Sequence, residues 1–300
     1  MTQDQDTRDV ADPGVTPAFA EHRVPVGQGS IHVRDYAGAG PAFVLMHGFP
    51  DNSHIYDDLI PYLVAGGRRV VAFDFLGFGA SDKPTGAAYS FAQQLGDLKT
   101  VVDHLDLGKV VPVAHDSSGI AAVNFAIDHP ESVASLVILN AAFANAPTVH
   151  WPELITLFAT PELHALSSAI LQAPEQFGWI VNVQREAFKA ALADQHKARY
   201  DGFLGPVIDA NFRVQGAGPA FAQMTAQFFA ELTRNDARLA LMEALDVPAK
   251  VIWGANDPYI NAGVAEDFAS HLRHASLRIL PAGHWLQIDE PELVAAEMLA

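Results

Sequence analysis

The sequence contains no cysteine in its 300 residues. This excludes disulfide bonds, zinc sites built on cysteine, and thiol catalysis. It contains 13 histidines, but none has a close metal-ligand spacing such as His-x-x-Glu-His. We therefore predict that the protein uses no metal and no cofactor.

Long apolar runs are also missing. The longest, around Leu136 to Ala144, is interrupted by Asn140 and is too short to cross a bilayer. The N-terminal segment MTQDQDTRDVADPG is polar and acidic, without the apolar stretch of a signal peptide. We therefore expect no membrane association and a cytoplasmic location, with residues 1–20 as a disordered tail.

Positive charge is scarce. Lysine and arginine total 18 against 35 acidic residues, for a formal net charge of -17. Such a field repels nucleic acid and anionic surfaces and disfavours an anionic substrate. The expected partners are a small apolar, uncharged molecule and water, with no nucleic acid; the composition leaves the oligomeric state open.

Short apolar runs alternate with longer amphipathic stretches along most of the chain, which is typical of buried parallel strands joined by crossover helices. Two short strands at about 22–27 and 30–36 come first, with Gly27 and Gly29 in the turn between them. The later runs are Ala42–Met46, Val70–Phe73, Val110–Ala114, Val133–Leu139, Lys250–Trp253 and Leu277–Leu280. The pattern predicts an α/β fold.

The alternation stops for about a hundred residues between Leu139 and Lys250, where the composition is helical and no strand-like run stands out. We predict a helical cap insertion over 143–240, placed at the carboxyl edge of a sheet formed by 21–142 and 241–300. The alternative is a second, independent helical domain. The insertion is favoured because the strands after the gap need those before it to complete a sheet.

The segment Val110-Val-Pro-Val-Ala-His-Asp-Ser-Ser-Gly runs from a strand directly into a helix. A strand–nucleophile–helix elbow strains its central residue and exposes that side chain above the sheet. The flanking residues must be small. Asp116 at the apex has Ala114, Ser118 and Gly119 around it, whereas Ser117 would place the imidazole of His115 at the crowded position, so the spacing favours Asp116.

With His115-Asp116 at the elbow, the sequence resembles the α/β-hydrolase fold family, in the branch of epoxide hydrolases and haloalkane dehalogenases. The resemblance implies a mostly parallel, twisted eight-stranded sheet flanked by helices, with a helical cap. The turn His47-Gly48-Phe49-Pro50 and the loop from Asp74 to Pro84 also match the family's patterns.

By the same resemblance, Asp116 is the nucleophile, and Asp257 and His284 complete a catalytic triad in the family's chain order. The backbone N–H groups of Phe49 and Ser117 are the expected oxyanion donors. A carboxylate attacks carbon to form a covalent ester, and the histidine then activates water to hydrolyse it.

The leaving group is ambiguous. Dehalogenases of this branch hold the halide with a tryptophan after the nucleophile and often an asparagine in the His-Gly turn, where this chain has Ser117 and Phe49. Haloacetate dehalogenases carry arginines near the elbow, and none is present. His-Gly-Phe-Pro is common in epoxide hydrolases, which use cap tyrosines as the acid. The positions that resemble that pair are Phe228 and Phe229.

The candidate cap residues are therefore His164 or Tyr200 as an acid, and Trp151 or Trp179 as indole donors to a halide. Trp151, Phe158 and the Phe228–Phe229 pair could line an apolar pocket or be ordinary core. We predict an epoxide-hydrolase-like enzyme. The alternatives are a haloalkane dehalogenase, an ester or lactone hydrolase acting through Ser117, and a binding protein without catalysis.

Overall fold

The computed structural model describes residues 16–300. Within this range eight strands form one sheet: β1 (Ala20–Val26), β2 (Gly29–Tyr36), β3 (Ala39–Met46), β4 (Arg68–Phe73), β5 (Val110–Asp116), β6 (Leu136–Ala141), β7 (Ala249–Gly254) and β8 (Ala275–Leu280). Their spatial order is β1-β2-β4-β3-β5-β6-β7-β8. β1, β2 and β4 pair antiparallel, and every other neighbouring pair is parallel.

Helices before and after the long gap pack on the sheet: α1 (Ile60–Ala65), α2 (Phe91–His104), α3 (Gly119–Asp128), α12 (Ala262–Ser270) and α14 (Pro291–Leu299). The short helix α13 (Leu286–Asp289) packs against α14. Strands β3, β4, β5 and β6 are buried along most or all of their lengths. Burial on both faces explains their continuous apolar sequences. The predicted α/β-hydrolase fold with an eight-stranded, mostly parallel sheet is confirmed.

Between β6 and β7 the chain forms helices and no strand. These are α4 (Glu153–Ala159), α5 (His164–Leu171), α6 (Pro174–Ala190), α7 (Asp194–Arg199), a π-helical turn (Tyr200–Leu204), α8 (Gly205–Arg213), α9 (Ala217–Ala226), α10 (Phe228–Asp236) and α11 (Leu239–Glu243). No single helix within residues 16–300 is long and apolar enough to cross a membrane. The pair Glu153–Ala159 and Pro161–Leu171, bent by 87°, meets the criterion by length and composition only.

The predicted strands all occur, with shifted ends. β6 begins at Leu136 and not at Val133, because Val133 makes only an isolated bridge to Val110. The predicted tail over residues 1–20 ends too late, since Ala20 already pairs with Asp35 in the sheet. Residues 1–15 of that predicted tail lie outside the described part of the chain.

Candidate active site

The chain bends sharply between β5 and α3. Asp116, the last residue of β5, has a φ of 55°, in the left-handed region that non-glycine residues rarely adopt. Three residues later the helix passes very close to the end of β6. A Cβ on Gly119 would lie 2.4 Å from the carbonyl oxygen of Ala142. The small residue is thus required at this position by a backbone contact.

The Asp116 carboxylate stands at the carboxyl edge of the sheet, with its side chain 19% exposed. The backbone N–H of Phe49 donates to its Oδ2 at 3.2 Å. A Cβ on Gly48 would come within 2.2 Å of the same oxygen. Burial raises the pKa of Asp116 to about 6, opposed by His284 and by the backbone N–H groups of Ser117 and Phe49.

His284 follows β8 and faces Asp116. Its Nε2 lies 3.9 Å from Oδ1 of Asp116, and its Nδ1 is 2.6 Å from Oδ2 of Asp257. Burial alone would lower the pKa of His284, but the charge of Asp257 and the hydrogen bond to it outweigh burial, and the pKa is raised. A carboxylate on Nδ1 favours the proton there and leaves Nε2 free to accept one.

Asp257 is held by both of its oxygens. Oδ1 accepts the backbone N–H groups of Tyr259 at 2.9 Å and Ile260 at 3.2 Å. Oδ2 accepts the side-chain amide of Asn140 at 2.8 Å, and Asn140 in turn accepts the N–H of Gly254 at 2.7 Å. Asn140 was not predicted as a site residue. Its position as the polar interruption of an apolar strand was the available signal.

A second buried carboxyl group, also not predicted, lies beside the histidine. Asp51 is 1% exposed and accepts the indole N–H of Trp285 at 2.8 Å, while its Oδ1 has no hydrogen-bond partner. The Nδ1 of His115, 3.8 Å from Asp51, is also unpartnered. The other ring nitrogen of His115, Nε2, donates to the carbonyl of His284. Burial raises the pKa of Asp51 to about 7 despite the Trp285 hydrogen bond.

Asp116 and His284 open onto a cavity of about 50 Å³. Most of its lining is apolar: Phe49, Pro50, Trp151, Pro152, Leu154, Ile155, Phe188, Phe228, Ile260 and Trp285. Besides Asp116 and His284, the lining includes the polar side chains of Gln184 and Tyr259. An apolar cavity with a few convergent polar groups is the usual form of a small-molecule site.

Of the residues predicted for the cap, Trp151 and Phe228 line this cavity, in T-shaped contact at 4.8 Å. Tyr200, His164 and Trp179 do not: Tyr200 is buried against Trp285 outside the lining, and Trp179 is 68% exposed. Phe158 packs against Phe221 in the interior.

Gln184 and Tyr259 were not predicted from the sequence as site residues. Gln184 lies in a long amphipathic helix, where nothing in the sequence separates it from surface glutamines. Tyr259 stands only two residues after Asp257, which was a usable signal. Within residues 16–300 no group of three or more histidine or acidic side chains is arranged to hold a metal ion.

The sequence matches the profile of the alpha/beta hydrolase fold family over residues 41–291. It is 36% identical over 135 residues to a haloalkane dehalogenase of Mycobacterium marinum, an alignment that covers 43% of this chain and 46% of that protein. The part of this chain that aligns therefore spans less than half the length of that dehalogenase. It is 27% identical over 275 residues to epoxide hydrolase 3 of Xenopus tropicalis, covering 85% of this chain and 69% of the relative.

Among solved structures, the epoxide hydrolase CorEH without ligand superposes with a TM-score of 0.71 at 21% sequence identity. The superposition covers 94% of this chain and 98% of that one. At this identity the similarity concerns the fold. The sequence relatives add that hydrolases of two leaving-group chemistries, epoxide and halide, are homologous to this chain.

Proposed function

The chain belongs to the alpha/beta hydrolase fold family, and we propose that it is a hydrolase that acts through a covalent ester on Asp116. The observation that carries this proposal is the placement of the Asp116 carboxylate. It stands on a residue with positive φ at the sheet edge, within 3.9 Å of the His284 imidazole and open to an apolar cavity.

In the first step the ionised Asp116 attacks a carbon of the substrate. Because Oδ2 is held by the N–H of Phe49, Oδ1 acts as the nucleophile, and it lies 3.9 Å from Nε2 of His284. The new bond joins Oδ1 to carbon while the bond from carbon to the leaving atom breaks. Oδ2 remains as the carbonyl oxygen of the ester.

In the second step His284 takes a proton from water, which attacks the carbonyl carbon of the ester. Charge then develops on Oδ2, where the N–H groups of Phe49 and Ser117 stabilise it. Such donors contribute about 3–4 kcal/mol each in comparable sites. Asp257 orients the imidazole and stabilises its charged form, as the 2.6 Å contact supports.

We propose a small, apolar and uncharged substrate, because the cavity is mostly apolar in lining. We propose an epoxide as the primary substrate class. The Phe49 turn supports this. Homology does not separate the two classes, because an epoxide hydrolase aligns with 85% of this chain and a haloalkane dehalogenase with 96%. We retain Asp116, His284 and Asp257 as the proposed catalytic residues.

We further propose that residues 143–240 form a cap over the sheet edge. Trp151, Leu154, Gln184, Phe188 and Phe228 from this segment line the cavity that contains Asp116. A cap in this position supplies the substrate contacts while the sheet supplies the chemistry. The cytoplasmic location and the absence of nucleic-acid and membrane partners remain predictions from composition.

Haloalkane dehalogenation is the second candidate, and one observation favours it. Trp151 lies in the cavity lining, and its indole N–H can hold a departing halide without transferring a proton. Ester hydrolysis through Ser117 has less support, since the Ser117 side chain is fully buried, is absent from the cavity lining and has an unpartnered hydroxyl.

The test of the proposal is a pair of variants, Asp116→Asn and Ser117→Ala, assayed on epoxides and haloalkanes. Asp116→Asn removes the nucleophile and should lower the rate by about 10⁴-fold or more, with no alkylated protein in intact-mass spectra. Ser117→Ala keeps the backbone N–H and should retain activity within a few-fold. Full turnover by Asp116→Asn together with loss in Ser117→Ala would show that the serine is the nucleophile.

Proton release separates the two leaving groups. Hydrolysis of an epoxide consumes one water and yields a diol with no net proton, whereas hydrolysis of a haloalkane releases one proton and one halide per turnover. We expect turnover without acidification of a weakly buffered dye solution. Stoichiometric acid and halide from a haloalkane, with no diol from epoxides, would identify the protein as a dehalogenase.

A further inference from the structure

An epoxide ring opened by Asp116 leaves an alkoxide, which is about as basic as hydroxide and needs a proton. His284 serves as the base of the second step, and the Phe49 amide is bonded to the carboxylate. The predicted acids His164 and Tyr200 are absent from the cavity lining. Tyr259 is the hydroxyl-bearing residue in that lining, and it is 9% exposed.

Tyr259 is rigidly tied to the catalytic residues. Its backbone N–H donates to Asp257 at 2.9 Å. Its ring makes a T-shaped contact with Phe188 at 4.8 Å, and Phe188 packs on the His284 imidazole at 5.2 Å. The phenol and the imidazole therefore contact the same Phe188 ring, and all three side chains line one cavity.

The hydroxyl of Tyr259 has two fixed partners. The side-chain amide of Gln184 donates to it at 2.6 Å, and the hydroxyl donates to Oε2 of Glu153 at 2.8 Å. The N–H of Leu154 donates to the Gln184 carbonyl oxygen at 3.1 Å, which fixes the orientation of the amide. Glu153 is exposed, so the chain of contacts runs from solvent to the cavity.

We propose that Tyr259 is the general acid that protonates the leaving oxygen of an epoxide, with Gln184 positioning it and Glu153 linking it to solvent. This inference rests on the proposed function of Asp116. As Oδ1 bonds to carbon, the electron pair of the breaking C–O bond goes to oxygen, which takes the phenol proton. The Gln184 N–H stabilises the phenolate that results.

Over one catalytic cycle, every proton that is released is also taken up. Water gives one proton to His284 and its hydroxide to the ester. When the ester breaks, the departing diol oxygen takes the proton from His284. The carboxyl group of Asp116 then ionises, and an equivalent proton returns from solvent to Tyr259 by way of Glu153.

The electrostatics agree with this role. Burial and the hydrogen bond to Glu153 raise the pKa of Tyr259 to about 12, while the Gln184 hydrogen bond opposes the rise. The phenol stays protonated at neutral pH. It is still a stronger acid than water, whose pKa is about 15.7, so transfer to an alkoxide is downhill.

The test compares ester formation in two full-length chains, His284→Gln and His284→Gln with Tyr259→Phe, since loss of the base traps the ester on Asp116. Three probes are used in rapid-quench intact-mass measurements. Butylene oxide needs the acid most, (trifluoromethyl)oxirane gives a much less basic alkoxide, and bromobutane needs no proton. Tyr200→Phe is the matched control, because it removes a buried tyrosine hydroxyl outside the cavity lining.

We expect Tyr259→Phe to slow ester formation by about 100-fold or more with butylene oxide, and by less than about tenfold with the other two probes. Tyr200→Phe should leave all three rates unchanged. An equal loss with every probe would mean that Tyr259 is only structural, and no loss with butylene oxide would also overturn its role as acid. If the chain that keeps Tyr259 formed the ester with bromobutane but with neither epoxide, the role of Tyr259 as acid would also be overturned. No ester from any probe in that chain would overturn the function proposed for Asp116 itself.

Discussion

At the scale of single residues, the site contains groups whose backbone conformation or burial is energetically unfavourable. Asp116 has a positive φ, and such backbone strain costs about 1–3 kcal/mol. It also carries a carboxyl group whose pKa is raised to about 6 by burial. The raised pKa makes the carboxylate more basic than a solvated aspartate, and the surrounding contacts must hold the strained backbone in place.

Asp51 gives a prediction about stability and pH. Its pKa is about 7 in the folded protein against an ordinary value of 3.8, so the folded state holds this proton more tightly than the unfolded state. The free energy of unfolding therefore falls as pH rises from about 4 to about 7. Asp51→Asn removes this dependence while its amide oxygen can still accept the indole N–H of Trp285.

We compare the free energy of unfolding of Asp51→Asn with that of the unsubstituted chain. From pH 5 to pH 8 this difference should shift by about 3 kcal/mol in favour of the variant. Urea unfolding at the two pH values measures the difference. An identical effect of the substitution at both pH values would contradict a raised pKa at this position.

At the scale of elements, the turn from β5 to α3 depends on a close approach of backbones. Gly119→Ala places a methyl group 2.4 Å from the carbonyl oxygen of Ala142, so strand or helix must move. We expect a loss of about 1–3 kcal/mol of stability and a larger proportional loss of activity, because Asp116 moves with the turn.

Gly96→Ala is the matched control in helix α2. A Cβ there meets nothing within 4 Å, so alanine should stabilise the helix by about 1 kcal/mol. Thermal unfolding and turnover are measured for both variants. Equal stability changes in the two would show that the elbow is not tightly packed.

The helix α6 shows how an element serves the site. Gln184 and Phe188 are one turn apart and project to the same side. Phe188 packs on His284, while Gln184 bonds to Tyr259. Polar and apolar cavity contacts therefore come from a single face of one helix.

At the scale of the whole molecule, the helices between β6 and β7 must stay docked on the sheet. Asn211 in α8 is 1% exposed and links them to the loops after β3 and β4. It accepts the N–H of Gly79 at 2.9 Å and donates to the carbonyl of Pro50 at 3.1 Å. An ion pair between Arg199 and Asp58 joins the same two regions at the surface.

Replacement of Asn211 by alanine leaves a buried N–H and carbonyl without partners, and we expect a loss of about 1–3 kcal/mol with a raised KM. Asn182→Ala is the control, at an exposed position of α6. Urea unfolding and limited proteolysis measure both. Unchanged proteolysis of Asn211→Ala would show that docking does not depend on this residue.

The strands along the chain and the strand-free insertion could be predicted from the sequence, because each depends on local patterning. Asp116 was predicted from the spacing at the elbow, and Asp257 and His284 from the resemblance to the family. Apolar runs bounded by glycine and proline mark strands wherever they lie in the fold. The small residues around Asp116 could be recognised as an elbow pattern, although the contact that requires Gly119 is made to Ala142, directly after the neighbouring strand β6. The exact ends of β6 and the start of β1 were wrong, since pairing partners decide where a strand begins.

The amino-acid order alone thus determined the fold and the expectation of a hydrolase with a carboxylate at the elbow. Only the tertiary structure decided which side chains face that carboxylate. Asn140, Asp51, Gln184 and Tyr259 come from four separate segments, and each is an ordinary polar residue in its own local sequence. Packing of the helical segment on the sheet edge brings Gln184 to Tyr259 and leaves Tyr200 outside the cavity. Contacts between residues so far apart in the chain produce no local pattern in the sequence from which they could be predicted.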